Sequence, residues 1–450
     1  MIITISNHLH LSRIHHDLKQ QIADGLTMTN PKWINNKRMG RRNYNVPREL
    51  FFYKEGQKGS LIVPRGLFSD IVTYCEKNKF HYTINHHTRK VPAPIPFELQ
   101  AALHSFQREA REKILAKNFG TLCAPTGSGK TVIALSTIPN RNQNTIVIVH
   151  TSELADQWAL RAEQFLGVKR VGKIGGGKLT VEPLTIAMVQ TLYKHAASLR
   201  DDFGYVIVDE CHRCPSRLFT EAVTAFDSEY MLGLSATPYR SDGLSDLVGW
   251  YLGGQVHNIE LSDLTESGDV LPLEVRVRDT DFDIDLDPVS DYSKVLSELT
   301  LDDDRNRLII SDVIERSEKG EVCLILTDRK HHCELLRWML EINGHKSCVL
   351  TGSVKKSERE KIVKKLNQGD VKILIATGQL IGEGFDCPKL ESLFLATPLK
   401  FSGRVIQYIG RVRRPGNGRT KAFIYDYADW KVGVLGRSAR TRMKIYNENK

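Results

Sequence analysis

Residues 124–131 read APTGSGKT, set between the apolar TLC (121–123) and the helix-forming VIALSTI (132–138). A tight loop that leaves a strand and opens a helix turns its backbone N–H groups inward, and the helix dipole adds positive potential at the same point. Gly127 and Gly129 permit that turn. The run Pro125, Thr126, Gly127, Ser128, Gly129 is therefore a candidate cradle for the β- and γ-phosphates of ATP, with Lys130 as the cation on those oxygens and Thr131 as a hydroxyl ligand for Mg²⁺. ATP and Mg²⁺ are the expected cofactors.

A second site follows at VDECH, where Asp209 and Glu210 end the apolar run YVIV. Side chains at the C-terminal end of a strand in an open parallel sheet face the ligand crevice. Asp209 is thus the candidate acid for the Mg²⁺ water shell, and Glu210 is placed to polarise the attacking water. An exposed acidic pair in a turn is the plain alternative, but it leaves the preceding strand unexplained.

The same rhythm extends outward. TIVIVH (145–150), LTIAMVQ (184–190) and MLGLSAT (231–237) are short, near-continuous apolar runs separated by helical patterns, as in a parallel sheet covered on both faces. The rhythm stops near residue 265 and resumes with VCLILT (322–327), VKILIAT (371–377), SLFLAT (392–397) and KAFIYDY (421–427), so two α/β domains are expected. Upstream, VPAPIP (91–96) reads as a linker because proline continues neither a helix nor a central strand. The expected organisation is a small basic α+β domain over 1–95, an ATP-binding domain over 96–265, a linker over 266–304 and a second domain over 305–450. Within the linker, TDFDIDLD alternates acids with Phe282, Ile284 and Leu286. It lacks the glycine and polar backbone of a calcium loop and reads as a strand or connector with its apolar side inward. GKIGGGK (172–178) reads as a turn.

In the order APTGSGKT, VDECH, LSATP (234–238) and QYIGRVRR (407–414), the chain resembles the superfamily 2 helicases. LSATPYRSDG, EGFDCP (383–388) and the stretch ending LIVPRGL (61–67) are similar to the XPB-like branch and, within it, to phage recombination helicases of the UvsW type. The resemblance implies two tandem RecA-like parallel-sheet domains and an activity of branch migration, fork remodelling and D-loop or R-loop unwinding in recombination and repair. Position by position it implies that Gln107 reads adenine and that His212, Ser235 and Thr237 couple hydrolysis to domain movement. In the second domain it implies that Thr377 and Gly384 touch nucleic-acid backbone, that Asp386 faces the nucleotide, and that Gln407, Arg411 and Arg414 serve the γ-phosphate. An arginine delivered from a second domain stabilises the charge that spreads over the transferring phosphoryl group, and such fingers are worth about 10³ to 10⁵ in rate elsewhere. HTSELADQW (150–158) resembles motif Ia, with Ser152 where many RNA-directed relatives have a basic residue; VQTL (189–192) and LTDRK (326–330) are looser matches, and for Gln190 and Arg329 packing explains the residue as well as strand contact does.

Charge locates the partner. The 450 residues carry 63 Lys and Arg against 53 Asp and Glu, and of the net +10, residues 1–95 hold +9 (15 against 6). A local excess of this kind suits a surface that meets phosphates. PKWINNKRMGRRNY (31–44) has five cations and no acid, interleaved with Trp33 and Tyr44, which suit base stacking; Trp33 is equally explained as a core anchor. Lys37, Arg38, Arg41 and Arg42 form the candidate DNA-contact patch. Branched or duplex DNA is the expected partner, with no membrane, because no run reaches 18 uninterrupted apolar residues. Eight cysteines without framework spacing fit a reducing cytoplasm, that of the host for a phage protein, and Cys211–Cys214 lacks the second pair of a zinc site. Three other readings stay open: an RNA helicase of the same superfamily, a nucleotide-regulated nucleic-acid-binding protein that moves no strand, and a translocase subunit of a restriction or nuclease system, for which the chain shows no nuclease constellation.

Overall fold

Apolar runs such as TIVIV can be buried along their whole length only when both faces of a sheet are covered, and all five of its residues are buried. The computed structural model describes residues 1–213, 217–236, 246–287, 290–378, 387, 389–399, 402–416 and 418–448. They form two compact units: Met1–Ala124 with Gly129–Ile259, and Pro125–Ser128 with Glu260–Lys450.

The first unit contains an eight-stranded sheet in the order Lys178–Thr180, Gly172–Gly175, Leu184–Met188, Thr145–Val149, Tyr205–Val208, Tyr230–Ser235, Phe119–Cys123, Gln255–Asn258. Its strands are parallel apart from the edge hairpin 172–180. GKIGGGK is therefore a strand and its turn rather than a turn alone; Ile174 is fully buried, which a turn residue would not be. All the strands expected from 145 to 237 are present in register, so the C-terminal ends of 119–123, 145–149, 205–208 and 230–235 open on one edge.

Residues 1–87 add a five-stranded sheet in the order Lys54–Glu55, Leu61–Pro64, His8–Ser12, Ile2–Ile5, Thr83–His86, antiparallel except for the last pair. Alternation in IITI and HLHLS puts Ile3, Ile5, Leu9 and Leu11 into its core with Leu61, Val63, Ile71 and Cys75. This small domain is fastened to the larger sheet. Arg65 is 2% exposed, donates to the carbonyls of Ser6 (3.3 Å) and Ser228 (2.9 Å), and lies 4.8 Å over the ring of Phe119. Burial pushes its guanidinium down to about 10. Asn7 donates to Thr224 O at 2.7 Å, and Arg89 shares Asp227 with Arg200. The proline-rich segment is lashed down as well: Val91 N–H donates to Gln143 Oε1 and Val91 O accepts from Asn144 N–H, both at 2.7 Å.

The second unit is built on a six-stranded, all-parallel sheet in the order Leu273–Asp279, Ala422–Ala428, Leu390–Leu395, Val322–Thr327, Ile373–Thr377, Ser347–Leu350. Residues 266–304, read from sequence as a connector, supply its edge strand Leu273–Asp279 and the helix Tyr292–Leu299. The alternating TDFDIDLD is not a strand. Its apolar residues Phe282, Ile284 and Leu286 pack with Val295, Leu299, Val432 and Leu435. Two buried ion pairs, Arg305–Asp429 (2.8 Å) and Arg442–Asp426 (2.7 Å), hold helices against the strand 422–428; removing one partner of such a pair typically costs about 3–5 kcal/mol.

Candidate active site

The strand Phe119–Cys123 ends at Ala124, whose N–H donates to Ser235 O at 2.9 Å, tying the start of the phosphate loop to the end of the LS run. Gly127 (φ +100°) and Gly129 (φ +77°) occupy the left-handed region that glycine adopts without penalty. Between them, Ser128 closes a turn on Pro125 O through both its N–H (3.2 Å) and its Oγ (2.8 Å). The helix Lys130–Arg141 starts directly after Gly129, so Lys130 and Thr131 stand in its first turn, the end of a helix that suits an anion. Lys130 Nζ rests on Ala124 O at 3.0 Å.

Gln107 is buried on the helix Ser105–Leu115, and its Oε1 accepts from His104 N–H at 3.1 Å in a capping box. That fixes which way the amide points. A Cβ built on Gly129 would come within 2.6 Å of Gln107 Nε2, so the side chain lies against the phosphate loop.

Asp209 follows the strand Tyr205–Val208 and is 6% exposed. Its Oδ2 accepts from Trp158 Nε1 at 2.8 Å, and its Oδ1 accepts from Glu210 N–H at 2.9 Å. Burial, and then the neighbouring Glu210 charge, push its carboxyl up to about 6, against the pull of the Trp158 N–H and Lys130. A carboxylate so placed is short of positive charge, and its oxygens match a hard divalent cation. Among the described residues, no cluster of three or more His, Cys, Asp or Glu could by itself hold a metal; Cys211 is buried in the core, and Cys214 lies outside the described residues.

Around Glu210 the structure joins segments far apart in sequence. His212 Nδ1 lies 2.9 Å from Ser235 Oγ and 3.4 Å from Glu210 Oε2. His150 Nε2 lies 3.3 Å from Glu210 O, and Gln190 Nε2 donates to His150 O at 3.0 Å. Sequence reasoning missed Trp158 and His150. The signal for Trp158 was present: on a helix after a parallel strand, a tryptophan with a free N–H needs a buried acceptor.

In the second unit, Gln407 and Arg411 are one turn apart on the helix Ser402–Val412, with Arg414 two residues past its end. Gln407 is buried, and Arg411 and Arg414 are half-buried. Between them Arg413 is a structural arginine that the basic run concealed: it is 1% exposed and donates to Leu271 O (2.6 Å) and Thr265 Oγ1 (3.0 Å). Thr377 ends the strand Ile373–Thr377 beside Thr327, and the next residue, Gly378, accepts from Tyr408 Oη. Thr237, Gly384 and Asp386 lie outside the described residues.

In the small domain, Lys37, Arg38, Arg41 and Arg42 are all exposed. Trp33 is half-buried, with Lys37 Nζ at 5.3 Å and Arg48 at 5.7 Å from its ring. Tyr44 is 77% exposed and Phe51 59%. The stacking surfaces offered to solvent are thus Tyr44 and Phe51 rather than Trp33. No described helix is long and apolar enough to cross a membrane.

Residues 100–240 match the family model of the type III restriction enzyme res subunit, and residues 305–416 match the helicase conserved C-terminal domain. The DNA 3'-5' translocase XPB2 of Sulfurisphaera tokodaii is 26% identical over 359 residues, 71% of this chain and 81% of that protein. The ATP-dependent DNA helicase uvsW of Enterobacteria phage T4 is 25% identical over 369 residues, 77% of this chain and 72% of that protein. Among solved structures, a fragment of a putative HsdR subunit of a type I restriction enzyme from Vibrio vulnificus aligns with TM-score 0.59 and 17% identity over 78% of this chain and 68% of that one, a likeness of fold. With a phosphate loop and an acid pair on the first parallel sheet, and a second parallel sheet matched as a helicase C-terminal domain, the chain belongs to the superfamily 2 helicases, ATP-hydrolysing enzymes, and resembles their XPB and UvsW members.

Proposed function

We propose that this helicase is a Mg²⁺-dependent DNA translocase that acts on branched DNA in recombination, fork remodelling or repair, in the cytoplasm of its cell or host. The observation that carries the reading is the pairing, within one compact unit, of Lys130, Thr131, Asp209 and Glu210 with an exposed patch of Lys37, Arg38, Arg41 and Arg42 beside Tyr44 and Phe51. Cations bind duplex backbone without regard to sequence, and exposed aromatic rings take unpaired bases, so the combination suits a place where duplex and single strand meet. Relatives named as DNA helicase and DNA translocase support DNA, and one named as a putative ATP-dependent RNA helicase keeps RNA as the alternative to be tested.

In this reading Lys130 and the loop amides hold the β- and γ-phosphates, and Gln107 lies on the adenine side of the loop. Thr131 and Asp209 would hold Mg²⁺, which would supply positive charge against the transferring group. Glu210 orients the attacking water. Gln407, Arg411 and Arg414 act on the γ-phosphate, with Asp386 on the nucleotide side; Thr377 and Gly384 bear on the strand. His212, Ser235 and Thr237 link the two events.

The test has two arms. Lys130→Ala and Glu210→Ala should abolish turnover, and normal DNA-stimulated hydrolysis in either sinks the site assignment. Forks, four-way junctions, tailed duplexes and RNA are then compared as stimulators and substrates. Preference for RNA would make the chain an RNA helicase; hydrolysis without strand movement on any of them would make it a nucleotide-regulated binding protein.

A further inference from the structure

Among the described residues, six non-glycine residues have positive φ, and Glu210 is one of them. At φ +48° its backbone stands in the left-handed region, where an ordinary side chain is strained and the surroundings must hold it. Three contacts do so. Its N–H is taken by Asp209 Oδ1 at 2.9 Å, its carboxylate lies 3.4 Å from His212 Nδ1, and its carbonyl oxygen lies 3.3 Å from His150 Nε2. The first two belong to the same short segment and move with it. His150 comes from elsewhere: it is the first residue after the strand Thr145–Val149, which pairs directly with Tyr205–Val208.

We infer that His150 is a positioning residue for hydrolysis, its ring N–H donating to the Glu210 carbonyl and so fixing the peptide that aims the Glu210 carboxylate. The inference rests on the reading of Glu210 as the residue that orients water. His150 is held in its turn from outside, because the exposed Gln190, at the start of the helix Val189–Leu199, donates to its carbonyl oxygen at 3.0 Å. An exposed amide is a ready partner for a phosphate oxygen. A nucleic-acid strand that engages Gln190 therefore alters the support of His150, and through it the aim of Glu210, over a path of two hydrogen bonds. A displacement of about 1 Å in such a group is enough to cost about 100-fold in rate.

The experiment uses the full chain, with turnover measured at varied ATP with and without tailed duplex DNA, and binding of a fluorescent ATP analogue measured separately. His150→Ala should lower kcat about 10- to 100-fold while KM and analogue affinity stay within about twofold. His150→Gln, which keeps an N–H donor, should restore most of it. Gln190→Ala should lower the DNA-stimulated rate more than the rate without DNA. Wild-type kcat in His150→Ala, or a loss that His150→Gln does not relieve, overturns the inference. If His150→Ala does not fold, His150→Gln against His150→Met carries the same comparison: equal turnover overturns it, and loss in the methionine variant alone supports it. Glu210→Gln separates the two claims. Normal turnover in that variant refutes the role of Glu210 itself, whereas an inactive Glu210→Gln beside a normal His150→Ala refutes only the role of His150.

Discussion

Replacing Gly66 by alanine should pry the basic domain from the sheet that carries the phosphate loop. A Cβ at that position would sit 2.2 Å from Gly249 O, 2.5 Å from Trp250 O and 2.6 Å from Gly253 N, all backbone atoms of or beside the helix Asp246–Leu252. Carbon atoms rest against such neighbours at about 3.5 Å, so the contact must open by roughly 1 Å. Overpacking of this kind costs about 1–3 kcal/mol. The same opening stretches the bond of the adjacent Arg65 to Ser228 O, now at 2.9 Å. A buried guanidinium losing an acceptor adds about 1–3 kcal/mol. At about 2–4 °C per kcal/mol for a unit of this size, the melting midpoint of the first unit should fall by roughly 5–20 °C. Differential scanning calorimetry reads this directly, with Gly249→Ala as the control: nothing lies within 4 Å of a Cβ there, and inside a helix alanine should be neutral or stabilising by up to about 1 kcal/mol. If Gly66→Ala melts with the wild type, or no lower than Gly249→Ala, the fastening is not the tight backbone contact described.

Three further outcomes are expected. Trp158→Phe keeps the ring in the core but removes the N–H donated to Asp209; losing that bond, worth about 1.5–3 kcal/mol to a charged acceptor, should weaken Mg²⁺ dependence of hydrolysis about 10- to 100-fold, read as the Mg²⁺ concentration at half-maximal rate. Changing Lys37, Arg38, Arg41 and Arg42 together to alanine should reduce the slope of log affinity against log salt for duplex DNA by about 3 to 4, and an unchanged slope removes the patch from the interface. His332, fully buried between Thr327 Oγ1 and Asn306 Oδ1, is lowered to about 3 by burial and by Arg305. Its folded value is below the ordinary 6.5, so the stability it allows is intact above about pH 6.5 and is lost as pH falls toward 3. By pH 4.5 the loss is on the order of 3 kcal/mol, and urea unfolding of wild type against His332→Gln at pH 6.5 and 4.5 should show the variant less pH-sensitive.

The central strands were legible because each is apolar along its full length, and the phosphate loop and acid pair because their chemistry fixes both residue type and spacing. What stayed hidden depends on contacts between distant segments. QVHN (255–258) and SCVL (347–350) lie at or next to the sheet edges and are only partly buried, so they carry no clear apolar signature. LEVRVRD (273–279) alternates as an outer strand does, and its neighbour 422–428 comes some 150 residues later. In GRVRR the motif assigns Arg411 and Arg414, and the bonds to Leu271 O and Thr265 Oγ1 show that Arg413 between them faces inward. Trp33, which the sequence leaves open between a stacking ring and a core anchor, is half-buried with Lys37 and Arg48 across its ring. His150 could not be found at all from sequence, since its role is defined by a carbonyl oxygen sixty residues away.

The way the first domain is secured also bears on how such chains can be recombined. Residues 88–93 exchange main-chain bonds with Asp227, Glu229, Asn142 and Asn144, and LIVPRGL delivers Arg65 and Gly66 into a seat made from Ser228, Met231 and Gly249–Gly253. The N-terminal region is consequently not a cassette that can be transplanted onto another motor by cutting at its prolines. A chimera that imports residues 1–95 must import the seat as well, or the transplanted piece will arrive with a bare charge and a groove that no longer has anything to close on.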